Sequence, residues 1–239
     1  MTEKKMRLDR DGVVKRVNEA RDSGKLPNLQ GVDLSNVDLR HVDLEGVILR
    51  GANLNYADLY SANLRDTRLE GANLQNAYLG LANLRYADLD EANLRYANLD
   101  GANLQGVVLY GADLQGADLK GANLRYTDLN GTNLRDADLY GANLGSSNWR
   151  GLQVTTLPSG QLTLTPTCDG WKLRVGCWKG TPDQLRDLIS QDEDWPYAEG
   201  EEILRRRPYL QAALALCEVH MKDHQDVIEE LKARWGNDD

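Results

Sequence analysis

The chain has 239 residues, a formal net charge of −9, a pI near 4.9 and no phenylalanine. This acidity argues against direct nucleic-acid binding, because each phosphate contact calls for a Lys or an Arg. No run of 18 apolar residues occurs and "MTEKKMRLDRDG" lacks an apolar signal segment, so neither a membrane span nor a secretion signal is expected. The three cysteines (Cys168, Cys177, Cys217) are irregularly spaced, which suits a reducing cytoplasm.

Charge divides unevenly: residues 1–27 are net +3, while 28–150 and 151–239 are each net −6. In the first segment, Val13, Val14, Val17 and Ala20 recur at helical spacing. With Asp11 as N-cap and Gly24 as the stop, the pattern predicts an amphipathic helix over about 12–22. Residues 1–26 are read as a capping element for the segment that begins at residue 27.

From Leu29 to Leu144 leucine recurs at every fifth position, 24 times without a miss, and Trp149 takes the next slot. A straight helix would smear a five-residue period around its surface, and a strand would flip it between faces. The backbone must instead turn a corner once per repeat, so that every leucine points to one inside. Two residues before each leucine stand 15 Ala, 5 Val, 3 Thr and 1 Ser. These share the leucine's face and demand a narrow interior. The residue before the leucine is mostly Asn or Asp, and the one two after is often Gly (Gly46, Gly51, Gly71, Gly101, Gly111, Gly121), which suits tight corners.

The repeats "GANLQNAYLG", "EANLRYANLD" and "GADLQGADLK" resemble the pentapeptide-repeat proteins, A(D/N)LxG, over about residues 27–150. The resemblance implies a mainly β fold: a right-handed quadrilateral β-helix with four repeats per coil, hence about six coils. At the ~4.8 Å spacing of stacked strands such a rod is roughly 29 Å long.

After Trp149 the repeat stops, and 151–239 reads as a small α+β domain. "LQVTTLPSGQLTLTP" predicts a hairpin around Pro158-Ser159-Gly160, and "WKLRVGCW" (171–178) a third strand. "TPDQLRDLI" starts a helix with Thr181 as N-cap and Pro182 at its first position. "AEGEEILRRR" is a further helical piece, and the stretch from Pro208 to Trp235 reads as one long helix or two. "GWKLRVGCWKGTPDQL" resembles the tails of phage and prophage pentapeptide-repeat proteins, which points to a phage or bacterial protein but implies no activity.

No enzyme is expected: a solid Leu/Ala interior has no cleft, and the tail shows no nucleophile–base pair or phosphate loop. No cofactor is expected. Cys217, His220 and His224 stand at i, i+3 and i+7 on one helix face with Cys168 and Cys177 before them, and four of these five could make a zinc tetrahedron, although no Cys-x2-Cys knuckle is present.

The outer surface remains. With four repeats per coil, residues 20 apart stack. One column reads Asp38, Asp58, Tyr78, Asn98, Asp118, Asp138, with no base in it. Another reads Glu45, Arg65, Arg85, Gln105, Arg125, Gly145 and is partly basic. Tyr56 and Tyr96 share a corner column, as do Tyr86 and Tyr126. Tyr and Arg are enriched at interfaces, so these columns mark a partner surface, the plain alternative being solvated outward positions. The resemblance implies that such a rod imitates duplex DNA and occupies a DNA-handling protein such as gyrase, a type II topoisomerase, or a host defence factor. The alternative is a structural scaffold or spacer, presenting the C-terminal domain or homodimerising through it.

Overall fold

The computed structural model describes residues 6–157, 160–191, 195 and 200–236. The chain divides into two compact units, Met1–Trp149 and Arg150–Asp239.

In the first unit, helix α1 (Arg10–Asp22) precedes the repeats. Its N-cap is Asp9, whose carboxylate accepts from the Gly12 amide, and not Asp11, which lies in the first turn beside the positive helix end. Ser23 and then Gly24, at φ +66°, end it. Val13 and Val17 are fully buried against the first leucines of the repeat region. Ahead of the helix, Arg7 forms a parallel bridge to Asp33, so chain and helix together close the first coil.

The repeats wind as a β-helix solenoid. Parallel bridges join residues 20 apart, as in Asp33↔Asn53 and Asn53↔Asn73, so four repeats make one coil. At every corner the amide three residues after the leucine donates back to the leucine carbonyl, as from Ala52 to Leu49. The residue two after the leucine is left-handed at all twenty-four corners, the signature of a type II turn. The Asn or Asp before the leucine sits on the flat wall, not at the corner. Its side chain accepts from the amide two residues on, as Asp58 does from Tyr60 at 3.1 Å, which satisfies a corner donor that the coils do not use. Leucines and alanines fill the interior at close to zero exposure. Where threonine replaces alanine its hydroxyl donates to a leucine carbonyl, Thr67 to Leu64 and Thr132 to Leu109.

The second unit holds an antiparallel sheet of order β1-β2-β3-β4, with β1 Leu152–Leu157, β2 Gly160–Thr167, β3 Gly170–Val175 and β4 Trp178–Gly180. The segment expected as one third strand is two: Gly176, at φ +57°, and Cys177 turn the chain, and Val175 pairs with Trp178. Of the expected first turn, Pro158 and Ser159 lie outside the described residues. Helix α2 (Pro182–Ser190) carries a full capping box between Thr181 and Gln184. Helix α3 (Glu201–Asp223) runs through Pro208, and α4 (Gln225–Trp235) comes after a break at His224. The expected helical piece before Pro208 is thus the start of α3; its Ala198 and Glu199 lie outside the described residues. Leu162, Leu164, Leu173, Leu185, Leu214 and Cys217 form the core between sheet and helices.

Candidate interaction surface

The four aspartates proposed for a partner stand on one wall of the solenoid. Asp38 bridges Asp58 and Asp118 bridges Asp138, with Tyr78 and Asn98 between the pairs. At ~4.8 Å per coil the column runs about 24 Å. It differs from its neighbours in chemistry. The adjoining columns are Asn-rich and ladder along the axis, as Asn73 Nδ2 to Asn53 Oδ1 at 3.2 Å and Asn83 Nδ2 to Asn63 Oδ1 at 3.1 Å. Two stacked carboxylates have no donor to share, so each Asp pair is held by a base from the next corner.

Arg40 lies 2.5 Å from Asp38 and 3.5 Å from Asp58. Lys120 lies 2.7 Å from Asp118 and 3.6 Å from Asp138. Arg10 of α1 adds a contact to Asp38 at 3.5 Å. Hydrogen bonds from the Arg40 side chain, then its amide, hold the Asp38 carboxyl well below the ordinary carboxylate range. The bond to Asp118 raises the Lys120 ammonium above its usual value. The column expected to be purely acidic is therefore two carboxylate pairs, each clamped on one cation. Sequence reading missed Arg40 and Lys120 as members of the face. The signal was present, because each stands two residues after an Asp and so projects from the adjoining corner.

Tyrosines frame this wall. Tyr56 and Tyr96, 50 % and 52 % exposed, occupy left-handed corners on one edge. Tyr60 and Tyr140 stand at the other edge, and Tyr78 rises from the middle. The Tyr96 ring lies along the axis over Gly116 of the next coil, where a Cβ would fall 2.5 Å from its Cδ1. Tyr86 lies over Gly106 in the same way. Arginines rest on these rings: Arg95 on Tyr96, Arg85 on Tyr86 and Arg125 on Tyr126, at 5.8, 5.2 and 5.1 Å from the centroids. Each arginine of the partly basic stripe thus lies over a tyrosine, Arg65 and Arg85 over Tyr86 and Arg125 over Tyr126, while Arg95 stacks in another column.

The zinc candidates do not converge. Cys217 is fully buried in the core of the second unit, and burial pushes its thiol up to about 12. The His220 ring contacts the Arg150 carbonyl at 2.8 Å and stacks on His224 at 4.3 Å. The expected common face needs a continuous helix, and α3 ends before His224. Among the described residues no group of three or more His, Cys, Asp or Glu is placed to hold a metal. None of their helices is long and apolar enough to cross a membrane.

The model of the pentapeptide repeats matches in eight copies over residues 28–66, 62–95, 87–125 and 117–148, half of the chain. This protein belongs to the pentapeptide-repeat family. The match stops where the second unit begins, and the comparisons give no support to the phage-type resemblance of the tail. Among solved structures, the chain is similar to a pentapeptide repeat protein of the Arabidopsis thaliana thylakoid lumen at 36 % identity, covering 41 % of this chain and 65 % of that one, with a TM-score of 0.23. A pentapeptide repeat protein from the cyanobacterium Cyanothece 51142 is 29 % identical over 58 % of this chain and 98 % of its own, with a TM-score of 0.27. QnrB1, a plasmid-mediated fluoroquinolone resistance protein, is 22 % identical over 51 % of this chain and 72 % of its own, with a TM-score of 0.27. The chain thus spans just under two thirds of the Arabidopsis protein. Comparison with curated proteins finds no match.

Proposed function

We propose that this pentapeptide-repeat protein is a non-enzymatic cytoplasmic protein-interaction module, and that its rod, of about six coils, occupies a DNA-handling protein of the type II topoisomerase class by imitating duplex DNA. The observation that carries this reading is the wall of Asp38, Asp58, Asp118 and Asp138, stacked at coil spacing and framed by Tyr56 and Tyr96. Duplex DNA carries one charge per ~1.7 Å of axis. Four carboxylates over about 24 Å are sparse beside that, and Arg40 and Lys120 offset part of their field. Recognition therefore draws on the exposed tyrosines as well as on charge, and the affinity falls with salt less steeply than that of DNA itself.

Titration into a gyrase supercoiling assay tests the reading. The wild-type protein is expected to inhibit, or to compete with DNA, and Asp58→Lys/Asp118→Lys to lose at least about tenfold in potency. No effect of wild-type protein at a large excess over enzyme would discard the topoisomerase partner. Equal potency of the reversed variant would discard this wall as the contact.

A further inference from the structure

Arg85 and Arg125 are set into the rod in the same way. Each stands in the tetrapeptide Asn-Leu-Arg-Tyr, at 83–86 and 123–126. Each guanidinium donates to the hydroxyl of the tyrosine that follows, Arg85 to Tyr86 at 3.2 Å and Arg125 to Tyr126 at 3.1 Å, and lies against the same ring. That bond uses one of five N–H donors and holds the guanidinium in place. Both tyrosines are exposed. Elsewhere on the rod Arg40, Arg50, Arg95 and Lys120 each hold a carboxylate. Among the described residues, Arg85 and Arg125 have none within ion-pair distance. The column beside them is asparagine throughout from Asn63 to Asn143. On this wall and its tyrosine corner the one carboxylate from Asn63 to Ser146 is Asp66, which is paired with Arg65. An acidic rod thus carries one wall of the opposite sign.

We propose that Arg85 and Arg125 form a two-point site for an acidic polypeptide segment in the polyproline II conformation, with carboxylates at i and i+3. The spacing selects this occupant. The two arginines are 40 residues apart, which is two coils, or about 9.6 Å along the axis. Three residues of polyproline II advance about 9.3 Å and return to the same side. A strand presents one side every ~6.7 or ~13 Å, and a helix at i and i+7 every ~10.5 Å. Each guanidinium fork can take one carboxylate through two N–H donors. Gln105 and Gly106 stand between the two arginines, and the Tyr86 ring lies flat over Gly106. The segment between the carboxylates therefore meets a ring rather than a protruding side chain, and prolines pack well on such rings. Two guanidiniums are few for a nucleic acid, which proteins hold through about 6–10 phosphate contacts. Asp88 and Asp128, on the wall beyond the tyrosines, would also repel a broad polyanion. The site lies on another wall than Asp58 and Asp118, so it stands whether or not the rod meets a topoisomerase.

Fluorescence anisotropy of a labelled peptide of about four Glu-Pro-Pro repeats, titrated with the full-length protein, tests the site. We expect saturable binding with a dissociation constant at or below about 0.5 mM. A peptide of Gln-Pro-Pro repeats should not bind. A peptide with the same glutamates gathered in one block should bind at least about threefold more weakly, because it loses the spacing. Arg85→Gln and Arg125→Gln should each raise the dissociation constant at least about fivefold, with unchanged circular dichroism spectra. Arg68→Gln, the same change of charge on the neighbouring wall, should raise it less than about twofold. No saturation below about 2 mM, equal binding of the glutamine or block peptide, or an equal loss in Arg68→Gln would each overturn the proposal. So would tighter binding of an oligothymidine of similar length through the same two arginines, which would make the ligand a nucleic acid.

Discussion

Tyrosine in a left-handed corner is the least legible residue choice in this chain. Glycine at the slot two after each leucine announces positive φ, and the sequence pattern exposed that function at Gly46, Gly51 and Gly71. It did not show that Tyr56, Tyr86, Tyr96 and Tyr126 adopt the same backbone at φ of 56° to 61°. The reason is repetition. Each corner is held by a turn bond and by coil-to-coil bonds on both sides, which together override a local penalty of order 1 kcal/mol. The glycine beneath a tyrosine then has a second role, because it leaves room for the ring. Gly121→Ala, with open space around it, should cost about 1 kcal/mol of conformational strain. Gly116→Ala should cost roughly 2–3 kcal/mol, because its methyl also meets the Tyr96 ring. Tyr96→Ala should recover the difference. Equal thermal shifts for the two glycine variants would refute the packing role. Acid titration probes the carboxylates of the same walls. Glu70, lowered by its bond to Arg50, Asp33, lowered by Ser35, and Asp38 all ionise more readily in the fold than in the unfolded chain. Stability from them is complete above the unfolded carboxylate range near 4 and is lost as pH falls through the lower folded values. The melting temperature of the rod should therefore hold between about pH 7 and 5 and drop below about 4. Glu70→Gln should make that drop shallower. A flat profile down to pH 3 would show that these pairs contribute nothing to folding.

At the scale of elements, the pattern was most legible where one physical signal dominated. The leucine period led to the solenoid, and four valine and alanine positions to α1. The start of α1 was missed by two residues because two aspartates compete for the cap. Asp9 wins because its carboxylate reaches the Gly12 amide while Asp11 sits inside the first turn. In the second unit, β4 was hidden inside "WKLRVGCW", since a two-residue turn at Gly176-Cys177 interrupts the apolar run without any polar gap. Helix α3 was hidden by Pro208, which reads as a boundary but lies on the exposed side, where the lost amide bond leaves only a carbonyl open to water. Exposed Leu204, Tyr209, Leu216 and Val219 on the outer side of α3 weaken its amphipathic signal further. The cap makes a direct prediction. Val17, 2 % exposed, closes the first coil together with Val13. Val17→Asp places a charge on that core and should cost roughly 3 kcal/mol or more, on the usual scale of buried unpaired charges. With the cap loosened, the free edge of the first coil becomes a template for pairing, so the variant should also aggregate on light scattering. Asp9→Ala should cost only about 1 kcal/mol and remain monodisperse with respect to large aggregates. A soluble Val17→Asp protein with unchanged melting would show that α1 is dispensable as a cap.

At the scale of the whole molecule, the two units differ in how their contacts are organised, and this should separate their unfolding. Buried residues of the rod form one continuous cluster from Val13 to Leu144, in which each coil touches only the next. Such an array has stability built from repeats and nearest-neighbour interfaces, so it loses cooperativity as coils fray from an end. The second unit has a sheet-and-helix core of its own, with no buried residue in common with the rod. The aromatic residues report the two separately. Four of the five tryptophans, Trp171, Trp178, Trp195 and Trp235, lie in the second unit and the fifth, Trp149, at the end of the repeats, while eight of the ten tyrosines, Tyr56, Tyr60, Tyr78, Tyr86, Tyr96, Tyr110, Tyr126 and Tyr140, lie on the rod. Urea unfolding followed by tryptophan emission should therefore trace mainly the second unit, and near-ultraviolet dichroism of tyrosine mainly the rod. We expect two curves with different midpoints, since one free energy does not govern both cores. Leu164→Ala, at a fully buried position of the sheet, should shift the tryptophan curve by the equivalent of about 2–5 kcal/mol and leave the tyrosine curve in place. Gly116→Ala should do the reverse. Coincident curves for the wild-type protein, moving together in both variants, would mean that the units fold as one cooperative body, and that charge or apolar changes on either unit would have to be read through the stability of both.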